Sequence, residues 1–181
     1  MAPDIRWDLP VYFSKSRDAA ENLAMEEYLL HSVSYNREIL FLCENDPAVI
    51  IGRFQNPWRE CRTGLARRRG IPVRRRISGG GTVVHGPGNL NFSVISGRRI
   101  PRKEVNLDRV IRALGTLGVQ AERNGRFDLV VQISGASGPV PCKVSGSAFR
   151  QTARSSMHHA TLLVNADLVS LRELLRQPPR D

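Results

Sequence analysis

The chain has 181 residues, 41% hydrophobic and 24% charged, and its 27 Lys+Arg against 17 Asp+Glu give a net charge of +10. This apolar content is typical of one folded domain and excludes an intrinsically disordered chain. No apolar run approaches the roughly 20 residues of a membrane-spanning helix, and the N-terminus lacks the apolar stretch of a secretory signal. We therefore expect a soluble, cytoplasmic protein, or a mitochondrial one if its source is eukaryotic.

The basic residues are strongly biased towards arginine, with 24 arginines and only three lysines, Lys15, Lys103 and Lys143. A basic excess of this size suits a nucleic acid, a phosphorylated substrate or an acidic protein partner. The three cysteines are odd in number and widely spaced, which indicates reduced thiols rather than a disulfide framework or a zinc cluster.

The first half of the chain predicts two helices and five short strands. Residues 18–33 predict a core-facing helix capped by Asp18. A second helix is expected to begin at Asn56, with Pro57 in its first position, and to end near Gly70. Buried strands are expected at residues 38–43, 48–52, 71–75, 82–85 and 91–95.

The second half predicts a helix over residues 107–117, stopped by Gly118, and a short helix over residues 168–176. Residues 134–141 (SGASGPVP) predict a flexible surface loop. Strands are expected at residues 127–133, 143–149 and 159–164. Because strands and helices do not alternate regularly, the pattern favours an α+β fold in one domain, with a mixed or antiparallel sheet flanked by helices.

Residues 74–93, RRRISGGGTVVHGPGNLNFS, carry the strongest chemical signal. Three consecutive glycines allow positive φ angles and let backbone N–H groups approach an anion, and the flanking arginines can bind phosphate or carboxylate. The glycine spacing matches neither a P-loop nor the dinucleotide fingerprint. Taken alone, the stretch fits either a phosphate cradle or a structural turn beside solvated arginines.

A second stretch, CKVSGSAFR at residues 142–150, places the rare lysine Lys143 at the start of a predicted strand. Its compact ammonium can lie between two oxyanions where a guanidinium would not fit. A surface lysine at a strand edge has the same pattern.

These two stretches and four others, in the same order along the chain, resemble the lipoate-protein ligase A and lipoyltransferase family of the biotin/lipoate ligase superfamily. The matching segments are NLAMEE from residue 22, IIGRFQNPWREC from 50, RRISGGGTVVHGPGNLNFS from 75, GRFDLVV from 125, KVSGSAFR from 143 and HHATLLVNADL from 158. The resemblance implies a biotin/lipoate ligase catalytic domain with a fold like that of the class II aminoacyl-tRNA synthetases, spanning residues 1–181.

The resemblance implies a two-step reaction that uses ATP and Mg²⁺, with lipoate as the substrate. The carboxylate of lipoate attacks the α-phosphate of ATP to give lipoyl-adenylate and pyrophosphate, and a lysine of an acceptor domain then attacks the mixed anhydride. The implied acceptors are the acidic lipoyl domains of 2-oxoacid dehydrogenase E2 subunits and the glycine cleavage H protein, which a basic surface would attract. No membrane is implied, and 6% aromatic residues without basic–aromatic interleaving argue against nucleic acid.

By the same resemblance, Lys143 is the catalytic residue and contacts both the lipoyl carboxyl and the α-phosphate. The implied ATP- and adenylate-binding residues are Arg76, Gly79, Gly80, Gly81, Thr82, Val83, Val84, Asn89 and Lys143. The implied lipoate-binding residues are Arg75, Gly80, His85, Lys143, Ser147 and Ala148. No metal ligand is assigned. His85 also fits a packed, hydrogen-bonded histidine, and Trp58 fits either the wall of a lipoyl tunnel or a core aromatic.

The chain departs from the ligase pattern in three ways. His85-Gly86 stands where ligases read His-Asp, residues 134–141 form an insertion before Lys143, and the chain stops at Asp181, ahead of the last core segment and accessory domain of ligases. We therefore expect a C-terminally shortened catalytic domain, either active, inactive or completed by a separate accessory subunit.

Two other functions stay open from the residues. One is octanoyl or lipoyl transfer through a cysteine thioester, which requires an activated thiolate. Cys142 adjoins Lys143, but neighbours on a strand point to opposite faces, so both side chains do not easily serve one pocket. The other is a non-catalytic role, either binding an acceptor domain or tracking phosphates through the arginines at 67–69 and 74–76.

Overall fold

The computed structural model describes residues 9–125, 127–135 and 138–176, and within these ranges it has five helices and ten strands in two sheets. The helices are α1 (Ala19–Ser32), α2 (Pro57–Glu60), α3 (Thr63–Arg68), α4 (Lys103–Thr116) and α5 (Leu168–Leu174). The strands are β1 (Val11–Phe13), β2 (Glu38–Glu44), β3 (Ala48–Ile51), β4 (Val73–Arg75), β5 (Val83–His85), β6 (Asn89–Ser96), β7 (Ala121–Asn124), β8 (Asp128–Gly135), β9 (Gly138–Gln151) and β10 (Ser156–Leu163). None of these helices is long and apolar enough to cross a membrane.

The larger sheet has seven strands in the order β1-β2-β6-β10-β9-β8-β7. Its first pair, β1 and β2, is parallel, and every other neighbouring pair is antiparallel. The smaller sheet has the order β4-β3-β5, with β4 parallel and β5 antiparallel to the central β3. The predicted α+β fold with a mixed sheet flanked by helices is therefore confirmed.

Helix α1 packs against both sheets and so holds them together. Its Leu30 belongs to a buried cluster with Phe41 and Ile95 of the larger sheet, whereas its Ala19 packs with Ala48 and Ile50 of the smaller sheet. The opposite face of the larger sheet is covered by α4, and α3 and α5 cover the smaller sheet. The space beside α1, between the two sheets, is where the candidate site lies.

Two sequence predictions of local structure were wrong. The second helix is broken into α2 and α3, because Cys61 adopts extended backbone and forms an isolated bridge with Leu175. Of the predicted loop at residues 134–141, residues 134–135 instead end β8 and residues 138–141 begin β9, with Ile133 opposite Val140, while residues 136 and 137 lie outside the described residues. The prolines in this stretch favour the extended backbone of a strand as well as that of a loop.

The remaining differences concern the ends of elements and two short edge strands. Helix α4 begins at Lys103, four residues before its predicted start, and β10 begins at Ser156 rather than at His159. Strands β1 and β7, at the two edges of the larger sheet, were not predicted. The first helix is as predicted, with the Asp18 carboxylate accepting from the N–H groups of Ala20 and Glu21.

Candidate active site

A cavity of about 280 Å³ lies between α1, the larger sheet and the loop of residues 76–82, which we call the glycine loop. The predicted site residues that line it are Arg76, Gly80, Gly81, Thr82, Val83, His85, Lys143, Ser147 and Ala148. The lining residues not predicted are Asn22, Leu23, Glu26, Cys43, Asn45, Ile50, Asn91, Asp128, Gly146, His159, Ala160 and Thr161. The fold thus brings the lysine and the glycine loop, which are more than 60 residues apart in the chain, to one cavity.

The glycine loop requires glycine for two reasons, a close contact with the end of β3 and a positive backbone φ angle. A Cβ on Gly52 would lie 2.1 Å from the carbonyl oxygen of Gly80, and Gly80 itself has a φ of +89°. Backbone at positive φ is strained for residues that carry a Cβ. These glycines therefore fix how the loop lies over the end of β3.

Arg76 holds the glycine loop in this shape from inside. Its guanidinium donates to the carbonyl oxygens of Gly79 and Gly81, each at 2.7 Å, and to the hydroxyl of Ser78 at 3.0 Å. Burial lowers the pKa of this guanidinium, which still remains charged because an arginine pKa starts so high. Its hydrogen bonds in this structure thus tie the loop together from the cavity wall.

A chain of buried polar groups connects the glycine loop to α1 and β6. The imidazole of His159 contacts the Ser78 hydroxyl through Nε2 at 2.6 Å and the Glu26 carboxylate through Nδ1 at 3.1 Å. The Ser93 hydroxyl donates to the other oxygen of Glu26. We call Ser93, Glu26, His159, Ser78 and Arg76 the buried chain.

The carboxylate of Glu26 is ionised within this chain. Burial alone would raise its pKa, but the neighbouring His159 and the hydrogen bonds from His159 and Ser93 outweigh that effect and lower the pKa below its usual value. Because an ionised carboxylate only accepts hydrogen bonds, His159 carries a proton on Nδ1. The orientation of the imidazole towards Ser78 is therefore set by Glu26.

His85 lies in the cavity wall as a neutral imidazole. The side-chain amide of Asn22 donates to Asn45 at 2.7 Å, and the amide of Asn45 in turn donates to Nδ1 of His85 at 2.9 Å. Burial lowers the pKa of His85 to about 4, so the ring is uncharged at neutral pH. With Nδ1 accepting, the proton of the ring is on Nε2.

Lys143 has a very different setting from these buried groups. Its ammonium lies 2.6 Å from the carboxylate of Asp128, and its side chain is 58% exposed. A bulge at Val144, opposite the step from Leu129 to Val130, adds one residue to β9. Because side chains alternate along a strand, the extra residue turns Lys143 to the same face as Gly146 and Ala148. A Cβ on Gly146 would lie 3.3 Å from the Lys143 side chain, which passes directly over it.

Four predicted site residues do not line the cavity. Arg75 points away and donates to the carbonyl oxygens of Gly52, Arg53 and Gln55. Val84 is in the hydrophobic core below the smaller sheet. The side-chain amide of Asn89 is buried and donates to the Val84 carbonyl oxygen. Gly79 lies on the outer side of the glycine loop. Trp58 is 70% exposed and belongs to neither a core nor the cavity.

Sequence reasoning missed Glu26, His159 and Asp128 as site residues. Asn22, Glu26 and Leu30 are buried at spacings of four along α1, so the buried face of this helix is partly polar. The four-residue spacing of Asn22 and Glu26 was the available signal for a polar buried face. The sequence prediction instead placed the apolar residues of this helix on the core face. Asp128 and His159 lie within the family-like segments at 125–131 and 158–168, but neither was predicted as a site residue.

The cavity lining includes one cysteine and two carboxylates. Burial, together with the charge of Glu26, raises the pKa of Cys43 to about 12, so this thiol is protonated. The oxygens of Glu26 are occupied by Ser93 and His159, which leaves Asp128 as the lining carboxylate at the exposed side. No group of three or more His, Cys, Asp or Glu side chains suited to a metal ion occurs among the described residues. Asp128 is therefore the lining carboxylate that could supply one ligand to a divalent cation whose other ligands come from a bound anion and water.

The sequence matches the family model described as the lipoyl protein ligase A/B catalytic domain over residues 18–181. Among curated proteins it is 38% identical to the lipoate-protein ligase A of Bdellovibrio bacteriovorus over 172 residues, or 95% of this chain. The chain spans only 50% of the length of that relative.

Solved structures of similar proteins agree with the sequence match. The bipartite lipoate-protein ligase of Thermoplasma acidophilum, described with its E2 lipoyl domain, aligns with a TM-score of 0.81 at 28% identity, covering 94% of this chain and 67% of that one. The LipL1 protein of P. falciparum in complex with lipoate aligns at 0.82 and 29% identity, covering 92% of this chain and 51% of that one. An ATP-bound lipoate-protein ligase A aligns at 0.80 and 27% identity, covering 94% and 72%.

Proposed function

This chain belongs to the family of lipoyl protein ligase A/B catalytic domains, and on that basis we propose that its cavity binds ATP and lipoate and forms lipoyl-adenylate. The lipoyl group then passes to a lysine of an acceptor lipoyl domain. The observation that carries the proposal is that Lys143 and the glycine loop line the same cavity. Similar proteins with bound lipoate and with bound ATP support the choice of these two substrates.

The first step needs charge stabilisation more than a protein nucleophile. A carboxylate oxygen forms a bond to the α-phosphorus while the bond between the α-phosphorus and the bridging oxygen breaks, and pyrophosphate leaves with the electron pair. Two anions must approach each other for this to happen, and a fixed cation between them lowers the barrier. Lys143 is half-exposed and paired with a single carboxylate, so its ammonium can exchange Asp128 for incoming anions at low cost.

The rest of the lining fits an acyl substrate with one anionic end. Leu23, Ile50, Val83 and Ala160 supply apolar surface for a hydrocarbon chain. The neutral imidazole of His85 can donate a hydrogen bond without adding charge. Mg²⁺, when bound by phosphate oxygens and Asp128, would neutralise charge on the departing pyrophosphate.

The second step is attack by the acceptor's lysine on the acyl carbon of the mixed anhydride, which releases AMP. The amine must be neutral, and no cavity side chain of this protein needs to become covalently attached. Transfer through a cysteine thioester would instead need a thiolate. The lining thiol, Cys43, is protonated with a pKa of about 12, and Cys142 does not line the cavity, so both observations favour the adenylate route.

The first test measures pyrophosphate from the purified protein with ATP, Mg²⁺ and lipoate, with and without an unmodified E2 lipoyl domain. Wild-type protein is expected to release pyrophosphate once per bound adenylate, and to modify the acceptor when it is present. Lys143→Ala is expected to lower adenylate formation about a hundredfold or more, in line with the loss of one stabilising charge at a transition state.

Lys15→Ala is the matched control, because it removes the exposed lysine ahead of α1 and leaves the cavity intact. Unchanged adenylate formation in Lys143→Ala would contradict the assigned role of this lysine. Acceptor modification only when lipoyl-adenylate is supplied would replace the ligase proposal with a lipoyltransferase.

A further inference from the structure

A second cleft, of about 380 Å³, opens on the outer side of the glycine loop. Gly79 lines this cleft, whereas Gly80 and Gly81 line the first cavity, so the loop separates the two. We call this cleft the basic cleft. The six side chains that line it are Arg53, Phe54, Lys103, Phe149, Arg150 and Gln151.

The basic cleft holds three cations and no lining carboxylate. None of the ion pairs found among the described residues involves Arg53, Lys103 or Arg150. Like charges placed together without a compensating acid repel one another, which is unfavourable for the protein alone. An anionic partner would relieve that repulsion.

The cationic and aromatic groups of the cleft are also held in place. The ammonium of Lys103 lies 4.5 Å from the ring centre of Phe149, and the guanidinium of Arg53 lies 5.3 Å from that of Phe54. The turn that carries Arg53 and Phe54 is fastened by Arg75, whose guanidinium donates to three carbonyl oxygens of residues 52–55 at 2.9–3.0 Å. Arg75 thus acts as a brace for this turn.

Phe54 identifies the kind of partner. Its side chain is among the most exposed large apolar groups, at 84%, although the turn beneath it is braced. A small free anion makes no use of an exposed aromatic ring, whereas a fixed aromatic beside arginines is typical of the anchor of a protein interface. The cleft also adjoins the glycine loop, next to the cavity that an acceptor lysine has to reach.

We propose that the basic cleft is the docking surface for an acidic face of the acceptor domain. The inference rests on the proposed function for the identity of the partner. Carboxylates of the acceptor pair with Arg53, Lys103 and Arg150, and an apolar group of the acceptor packs on Phe54. Docking here places the acceptor lysine beside the cavity on the far side of the glycine loop.

The test compares two double variants that change the net charge equally. Arg53→Glu with Arg150→Glu reverses two charges in the cleft, and Arg67→Glu with Arg68→Glu reverses two exposed charges on α3. For the cleft variant, we expect the KM for an unmodified E2 lipoyl domain to rise about tenfold or more and its salt dependence to weaken. Pyrophosphate release without acceptor should stay within about twofold of wild type, because neither residue lines the cavity.

A third variant, Phe54→Ser, separates the aromatic anchor from the charges. It should raise the KM for the acceptor while leaving the salt dependence as in wild type. Circular dichroism and thermal unfolding of every variant check that the fold is retained.

Three results would overturn the proposal. An equal rise in the KM for the lipoyl domain in the two double variants would assign the effect to overall charge or to α3. A rise in the KM for ATP, or lost pyrophosphate release, in the cleft variant would assign the cleft to the nucleotide. If wild-type protein releases no pyrophosphate, the proposed function fails. Docking is then still tested by titrating the lipoyl domain into the wild-type and variant proteins. Undiminished binding by the cleft variant would refute the proposed docking surface.

Discussion

Two charged arrangements line the same cavity and differ in their exposure to solvent, in their hydrogen-bond partners and in the elements they join. In the buried chain, the carboxylate of Glu26 is 7% exposed and each of its oxygens has a hydrogen-bond partner. In the exposed pair, Lys143 is 58% exposed and contacts one carboxylate, that of Asp128. The first arrangement spans α1, β6, β10 and the glycine loop, whereas the second joins neighbouring strands.

The difference separates structural from reactive charge. Removing one member of a buried charged network leaves the others without partners in a medium of low dielectric, so such a network resists rearrangement. An exposed ion pair contributes little to stability and exchanges its partners with solvent or ligand. The buried chain is therefore suited to fixing the glycine loop, and Lys143 to meeting a substrate.

The largest effect should come from breaking the buried chain. Glu26→Ala leaves Nδ1 of His159 and the Ser93 hydroxyl without their carboxylate partner, and we expect it to lower the free energy of unfolding by about 3 kcal/mol. Asp128→Ala, which breaks the exposed pair, is the matched carboxylate control and should cost less than about 1 kcal/mol. Urea denaturation of both variants measures the two values, and equal losses would show that the distinction between the arrangements is wrong.

The pH dependence of stability should also arise from buried groups. Burial lowers the pKa of His85 to about 4 and that of His158 to about 3, from an ordinary value of 6.5. Below pH 6.5 the unfolded chain binds protons that the folded protein does not, so stability is full above this pH and falls as acid is added. Each of the two histidines should contribute a slope of about 1.4 kcal/mol per pH unit between pH 6.5 and its folded pKa.

His158→Gln tests this prediction, because glutamine can keep a hydrogen bond to Ser147 without titrating. Denaturation curves from pH 7 to pH 4.5 should show a shallower loss of stability in this variant. His31→Gln, which removes an exposed histidine, is the matched control. A slope identical to that of wild type in His158→Gln would mean that His158 is protonated in the folded state.

Local sequence signals predicted the parts of the fold that depend on neighbouring residues. Asp18 caps α1 as expected, because its carboxylate reaches N–H groups two and three residues further on. The runs that became β2 and β3 were recognised from their continuous apolar residues. The motif segments likewise placed Lys143 and the glycine loop together, and both line the cavity.

Features that depend on distant residues could not be read in the same way. The carboxylate of Glu26 is hydrogen-bonded to His159, which is 133 residues away in the chain. The residues near Glu26 in the sequence therefore give no sign that a carboxylate can be buried there. The face on which Lys143 lies depends on the bulge at Val144, and alternation alone would have turned it away from Ala148. Arg75 was expected at the lipoate from the family resemblance, but its partners are the carbonyls of a turn 20 to 23 residues earlier.

The smallest effect should come from the residue that lies beside Lys143 in sequence but not in the cavity. Cys142→Ser changes one atom on the other face of β9, so we expect acceptor modification to stay within about twofold of wild type and the free energy of unfolding within about 0.5 kcal/mol. Acid-quenched reactions analysed by mass spectrometry should show no acyl group on either protein before the acceptor is added. Loss of transfer in Cys142→Ser, with an acyl thioester isolated from wild type, would replace the adenylate route with covalent catalysis. In that case proximity in sequence, rather than the face of the strand, would have been the better guide to the reactive group.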